Sequence, residues 1–210
     1  MKVYKYFSKQ YSPAIHMGFV YLNTFENIRK YDKGGMIGDP TEATVVNSSG
    51  DINIDNSSKP EFSQIIKDLS PDIVTEGKVS LIMNNSPIVR RLPNAYMYCV
   101  TSDRNDTHWE KEEAYDACIE IKDFDEFTRR ISLALRTQGI FNKCLTKNCF
   151  FEESNGVISQ GTTKKPDYFR KPPTHKIQKE IRSVFDPISS TKSLSPITLY
   201  IDTKDLIICL

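Results

Sequence analysis

The stretch KKPDYFRKPPTHKIQKEIRSVFDP, Lys164 to Pro187, decides how this chain is read. Toward its end Ile181, Val184 and Phe185 form the apolar side of a strand entering a core. The segment as a whole is basic. Lys164, Lys165, Arg170, Lys171, Lys176, Lys179 and Arg182 face only Asp167, Glu180 and Asp186, in a chain whose net charge is +1. Charge concentrated in this way marks the seat of an anionic partner, either a nucleotide diphosphate or nucleic acid. Glu180 opens the strand beneath this basic rim, where a carboxylate is well placed for chemistry. The competing reading is a solvated basic face with Glu180 in a surface ion pair.

Working outward, Val3, Tyr4 and Tyr6 alternate with lysines as in a half-buried first strand over Met1–Phe7. Gly18 precedes a second strand, Phe19–Leu22, after which Asn23 or Thr24 can cap a short helix over Phe25–Tyr31. A glycine-rich loop follows at 33–40. Thr44–Val46 and Asp51–Ile54 flank the polar turn Asn47-Ser48-Ser49-Gly50 and predict a hairpin. A helix is expected over Glu61–Leu69, and core strands over Tyr96–Val100 and Ala117–Ile121. The clearest helix is Phe124–Gln138, with Phe124, Phe127, Ile131 and Leu135 at helical spacing, Asp123 as its cap and Gly139 as its stop. Another strand is expected over Cys144–Glu152, and a terminal hairpin from Ile197–Ile201 and Leu206–Leu210. Many short strands with few helices give an α+β class with mixed, mostly antiparallel sheets.

The 210 residues suit a single domain, 1–210, with ordinary hydrophobic (39%) and charged (26%) fractions. No apolar run approaches the ~20 residues that cross a bilayer, and the N-terminus has no signal-peptide core, so no membrane association and a cytoplasmic location are expected. The five cysteines include no CxxC, and His16, His108 and His175 are scattered, so no metal is expected. A phosphate-binding GxxxxGK[ST] loop, HExxH and GxSxG are all absent. What remains is an enzyme working with carboxylate, arginine and aromatic side chains, or a protein without catalysis.

The order of motifs is Tyr4-Lys5-Tyr6-Phe7-Ser8, Gly18 to Phe25, Gly38-Asp39-Pro40-Thr41-Glu42, Tyr98-Cys99-Val100-Thr101-Ser102, Trp109, Tyr115, and finally Gln178-Lys179-Glu180-Ile181-Arg182. It resembles ADP-ribosyltransferase-like domains of bacterial toxin and phage-defence systems, including distant relatives of the DarT type. The related layout has Asn before Asp-Pro where this chain has Gly38. The resemblance implies transfer of ADP-ribose from NAD, with NAD as substrate and an antitoxin protein as partner. It also implies that Glu180 acts on the ribose and that Arg29 holds the diphosphate. Tyr4, Tyr6 and Tyr21 would stack on nicotinamide or adenine, with Asn23, Thr24 and Asp39 around the cofactor. Each has a plainer alternative: an exposed helix-end arginine, core aromatics, helix caps and a turn.

For the acceptor, Tyr168, Phe169, Arg170, Lys171 and Lys176 offer charge and stacking faces that suit single-stranded RNA or DNA, with an acidic protein as the other acceptor. Two other expectations stand beside the transferase: a non-catalytic nucleic-acid- or protein-binding module built on the basic segment 164–182, and an NAD hydrolase with water as acceptor.

Overall fold

The computed structural model describes residues 1–30, 42–48, 52–55, 80–83, 87–104, 115–152, 155–157, 166–188 and 194–210. The expected helix over Glu61–Leu69, the glycine loop with Asp39, and Trp109 lie outside them. In chain order the strands begin with β1 (Val3–Phe7), β2 (Phe19–Thr24), β3 (Thr44–Ser48), β4 (Ile52–Asp55) and β5 (Ser80–Met83). Next come β6 (Pro87–Arg91), β7 (Tyr96–Thr101), β8 (Ala117–Ile121), β9 (Phe141–Asn148) and β10 (Phe150–Phe151). The last are β11 (Asn155–Val157), β12 (Arg170–Lys171), β13 (Glu180–Pro187), β14 (Ile197–Tyr200) and β15 (Ile207–Cys209). The helices are α1 (Ser12–His16), α2 (Phe25–Lys30) and α3 (Phe124–Thr137). Most strand pairs are antiparallel; β10 with β12 and β11 with β3 are parallel. The class is α+β. Among the described residues no helix is long and apolar enough to cross a membrane.

Contacts gather the chain into two compact units. The smaller comprises Ala43–Leu92 and Glu153–Asp167. In it β3 lies between β6 and β11, and β4 pairs with β5. The expected β3–β4 hairpin does not form, because both edges of β3 are already occupied.

The larger unit comprises Met1–Glu42, Pro93–Glu152 and Tyr168–Leu210, and is built on one sheet in the order β14-β2-β7-β1-β8-β15. Strand β13 runs along one edge of β7, from Glu180 opposite Thr101 to Phe185 opposite Tyr96, and carries β9 on its far side. The other edge of β7 is shared. Its start pairs with β2, Asn23 opposite Met97, and its end with β1, Tyr4 opposite Thr101. The sheet therefore forks at Cys99, which neither strand pairs. Two branches leave the fork, β2–β14 and β1–β8–β15.

Helix α3 covers one face. Asp123 accepts hydrogen bonds from the Asp125 and Glu126 N–H groups, as an N-cap should, and Phe124, Phe127, Ile131 and Leu135 are buried. The rings of Phe124 and Phe127 lie 6.4 and 5.3 Å from that of Tyr98, and Ile181 and Phe185 of β13 join this core. By strand alternation Glu180 and Arg182 point to the opposite face.

The terminal hairpin expected from Ile197–Ile201 and Leu206–Leu210 is a crossover instead. Strand β14 pairs with β2 and β15 with β8, at opposite ends of the sheet. Arg130 of α3 fixes the crossing: its guanidinium grips the Asp205 carboxylate through two 2.8 Å bonds and the Asp202 carbonyl through another of 2.6 Å. Leu199 and Leu206 are both buried in the core beside it.

Gly18 seats β2 against β14. It has φ of +89°, and its carbonyl accepts a 2.9 Å bond from the Ile201 N–H. A Cβ at this position would run into the Ile201 carbonyl oxygen. Gly18→Ala should therefore cost about 1–3 kcal/mol, or roughly 2–12 °C in melting temperature. An unchanged melting curve would show that the β2–β14 junction is not tight.

Candidate functional site

Four charged side chains meet on the face of β13 opposite α3. Arg182 is fully buried; its Nη1 donates to Glu42 Oε1 at 2.7 Å and to the Tyr168 carbonyl, and its Nε donates to Glu180 Oε1 at 2.9 Å. The guanidinium also lies 5.4 Å from the centre of the Phe25 ring. Glu180 Oε2 accepts from Lys171 Nζ at 2.6 Å, and the same ammonium donates to Gln178 Oε1 at 2.8 Å. The Cys149 thiol donates to Glu180 Oε1 at 3.6 Å. Glu42, Arg182, Glu180 and Lys171 are all buried, and their charges cancel.

The sequence builds this cluster in three ways. Two-residue alternation in β13 puts Glu180 and Arg182 on one face. The β10–β12 pair sets Lys171 opposite Phe151, and the 3-10 turn at Pro173–Gln178 returns the chain to β13. That return passes through Lys179 at φ 42°, a left-handed residue. On the other side, Arg29 of α2 donates to the Glu42 carbonyl at 3.0 Å.

These contacts set the charge states. Burial opposes a charge on Glu180, but the ammonium of Lys171 and the guanidinium of Arg182 outweigh it and hold the carboxyl well below the usual carboxylate range. Burial also works against Lys171, yet Glu180 and Glu42 raise it above its ordinary value. Desolvation, reinforced by Glu180, pushes the Cys99 thiol up to about 12. The Cys149 thiol is raised for the same reasons. Both shifts disfavour the thiolate, the form in which a cysteine acts as a nucleophile.

The cluster forms part of the wall of a cavity of about 940 Å³ that fills the fork. Tyr4, Lys5 and Tyr6 of β1, Tyr21 and Asn23 of β2, and Met97 to Thr101 of β7 line it, with Glu42, Lys171, His175, Gln178, Glu180 and Arg182. Its volume falls in the range of small-molecule sites, about 300–1,000 Å³. At the fork Lys5 Nζ donates to the Cys99 carbonyl at 2.8 Å and sits 5.1 Å from the centre of the Tyr98 ring. Lys5 thus satisfies the carbonyl that the split ladder leaves open.

Of the residues expected at a site, Tyr4, Tyr6, Tyr21, Asn23, Lys171 and Glu180 come together around this cavity. The others sit elsewhere. Arg29 reaches Glu42 from behind the wall. Thr24 caps α2 through a 3.1 Å bond from the Asn27 N–H, and Asn23 supports the cap by accepting from the Thr24 N–H. Tyr168 packs its ring 4.7 Å from Phe25 and donates to the Pro93 carbonyl. Phe169 is buried beneath Lys147, Arg170 pairs with Glu152, and Lys176 is exposed outside the cavity lining. Asp39 lies outside the described residues.

Sequence reasoning missed Arg182 as the hub, Lys5 at the fork and Glu42 as a buried counter-ion. The Glu180-x-Arg182 spacing was a usable signal for the first. Nothing local marks the other two, whose partners are 94 and 140 residues away. Comparison with protein-family models, with curated proteins and with solved structures returned no match for this chain.

Removing one member of this cluster leaves a buried charge uncompensated. Glu180→Gln should therefore lower stability by about 3–5 kcal/mol in chemical denaturation at pH 7. A loss below ~1 kcal/mol would mean that the cluster is solvated, as surface pairs are.

The pH dependence has a definite sign. The depressed Glu180 contributes stability above its unfolded value of about 4.3, lost as pH falls through its lower folded value. The raised Lys171 contributes below its unfolded value of about 10.4, lost as pH rises through its higher folded value. The stability gap between wild type and Glu180→Gln should be widest between about pH 5 and 10 and narrow below about pH 4. A gap constant down to pH 2 would contradict the assignment.

Proposed function

We propose that this protein is an ADP-ribosyltransferase-like enzyme that splits NAD in the fork cleft and transfers ADP-ribose to a macromolecule. It would act as a toxin in a toxin–antitoxin or phage-defence system, held in check by an antitoxin protein. The observation that carries this reading is a buried, ionised carboxylate, Glu180, on the wall of a cleft lined by Tyr4, Tyr6 and Tyr21. Three aromatic side chains suit the two planar rings of a dinucleotide.

In the reaction the bond between ribose C1′ and the nicotinamide nitrogen breaks, and nicotinamide leaves with the electron pair as a neutral pyridine. Positive charge builds on the ribose, and a fixed anion beside it lowers the barrier. A lone pair of the acceptor then bonds C1′, and the acceptor's proton passes to solvent. A carboxyl held as far below its ordinary value as Glu180 is a weak base, so its role is electrostatic stabilisation and acceptance of a ribose hydroxyl bond.

A nucleic-acid acceptor is favoured over protein by an aromatic face beside the cleft. Phe19 and Tyr21 of β2 and Tyr200 of β14 are all exposed, and the rings of Phe19 and Tyr200 meet edge to face at 5.7 Å. Exposed aromatics on a sheet serve as stacking platforms for unpaired bases. Within the basic segment Phe169 and Lys171 are buried, so this face supplies the stacking surface in their place.

One observation favours a second reading, a binding module without catalysis. Both Glu180 oxygens already accept hydrogen bonds from Lys171 and Arg182, as in a purely structural cluster.

Incubation with adenine-labelled NAD and a mixture of RNA, DNA and cell protein separates the two. Transfer predicts label on one class of macromolecule. Glu180→Gln, verified as folded, should reduce labelling by about 10²–10³-fold. Tyr21→Ala, an exposed change, should weaken it by about tenfold through lost stacking. Neither label nor NAD consumption from folded wild-type protein would leave the binding module.

A further inference from the structure

We infer that Lys5 is the anion-binding group of the fork cleft, and that it takes a phosphate of a nucleotide whose base lies against the tyrosines at the mouth. This rests on the reading of the cleft as a nucleotide site and adds the group that grips the phosphate.

The charges around the cavity single out Lys5. Its lining carries Lys5, Lys171 and Arg182 against Glu42 and Glu180, three cations to two carboxylates, with His175 beside them. Lys171 and Arg182 are each held by a carboxylate at 2.6 to 2.9 Å. Among the described residues Lys5 has no carboxylate within ion-pair distance; its partners are the Cys99 carbonyl and the face of Tyr98. The surplus positive charge of the cavity therefore resides on a lysine whose hydrogen bond goes to a neutral carbonyl, with Glu180 acting on it only from beyond ion-pair distance.

Position agrees with charge. Cys99 is the residue at which β1 and β2 part, so Lys5 Nζ stands at the inner end of the fork. At the outer end Tyr11, Phe19 and Tyr21 line the same cavity and are 57%, 39% and 54% exposed. The cleft thus runs from an aromatic mouth to a cationic throat, as a base joined to a phosphate requires. Moving Nζ from a neutral carbonyl to an anionic oxygen roughly doubles the strength of its hydrogen bond. Burial also lowers the Lys5 ammonium from its ordinary value, so the bare site bears a desolvation cost that an anion relieves.

Calorimetric titration with ADP and with adenosine tests this, using wild type, Lys5→Gln and Lys5→Arg. The glutamine amide can still donate to the Cys99 carbonyl and so preserves the fork. Wild type should bind ADP about 10–100-fold more tightly than adenosine. Lys5→Gln should remove most of that preference and leave adenosine affinity unchanged, while Lys5→Arg restores part of it. Equal affinity of the wild type for ADP and adenosine overturns the inference without recourse to any variant. An undiminished ADP preference in Lys5→Gln also overturns it. A Lys5-dependent ADP preference without NAD turnover supports Lys5 as the anion group and sinks only the transfer reading.

Discussion

The Arg182 guanidinium, fully buried between two carboxylates, is the constraint on which the larger unit depends. A charge so far from water is costly unless carboxylates pair with it and hydrogen bonds support it. Glu42 and Glu180 answer it electrostatically, the Tyr168 carbonyl by a further bond, and Phe25 with its ring face. Those partners come from the start of α2, the last residue of the larger unit's first segment, the chain just before β12, and β13 itself. One side chain therefore fixes where four distant stretches of chain must arrive. Lys171 closes the balance by meeting the second oxygen of Glu180.

The sheet fork follows from the same strand. Strand β13 claims one whole edge of β7, which leaves β1 and β2 to divide the other. Neither reaches Cys99, and the opening becomes a cleft instead of a continued ladder. The cleft meets the charged cluster because Thr101 and Cys99 of β7 stand opposite Glu180 and Arg182. Cleft and cluster are thus two consequences of one register. Placing an ionised carboxylate beside a cavity in this way is suited to chemistry that develops positive charge.

Much of the fold was legible locally. Helix α3 could be read from the spacing of Phe124, Phe127, Ile131 and Leu135, and its cap from Asp123, because both signals lie within a few residues. Strands β2, β7 and β8 were legible for the same reason. Pairing was not. The two expected hairpins failed because proximity in sequence favours a hairpin only when the neighbour's edge is free; β6 and β11 hold both edges of β3, and Arg130 carries the chain across α3 between β14 and β15. At the site, Glu180 and the tyrosines were visible as residue types in a suggestive order. The burial of Lys171 and Phe169 was not, since a basic aromatic stretch reads identically whether it lies on the surface or closes over a carboxylate.

A structure of the protein determined with saturating NAD tests the account most directly. The account predicts that the dinucleotide lies in the fork, with the nicotinamide ribose beside Glu180, a phosphate at Lys5 and a ring against Tyr21. Nucleotide bound elsewhere, or a fork that stays empty at saturation, would contradict it.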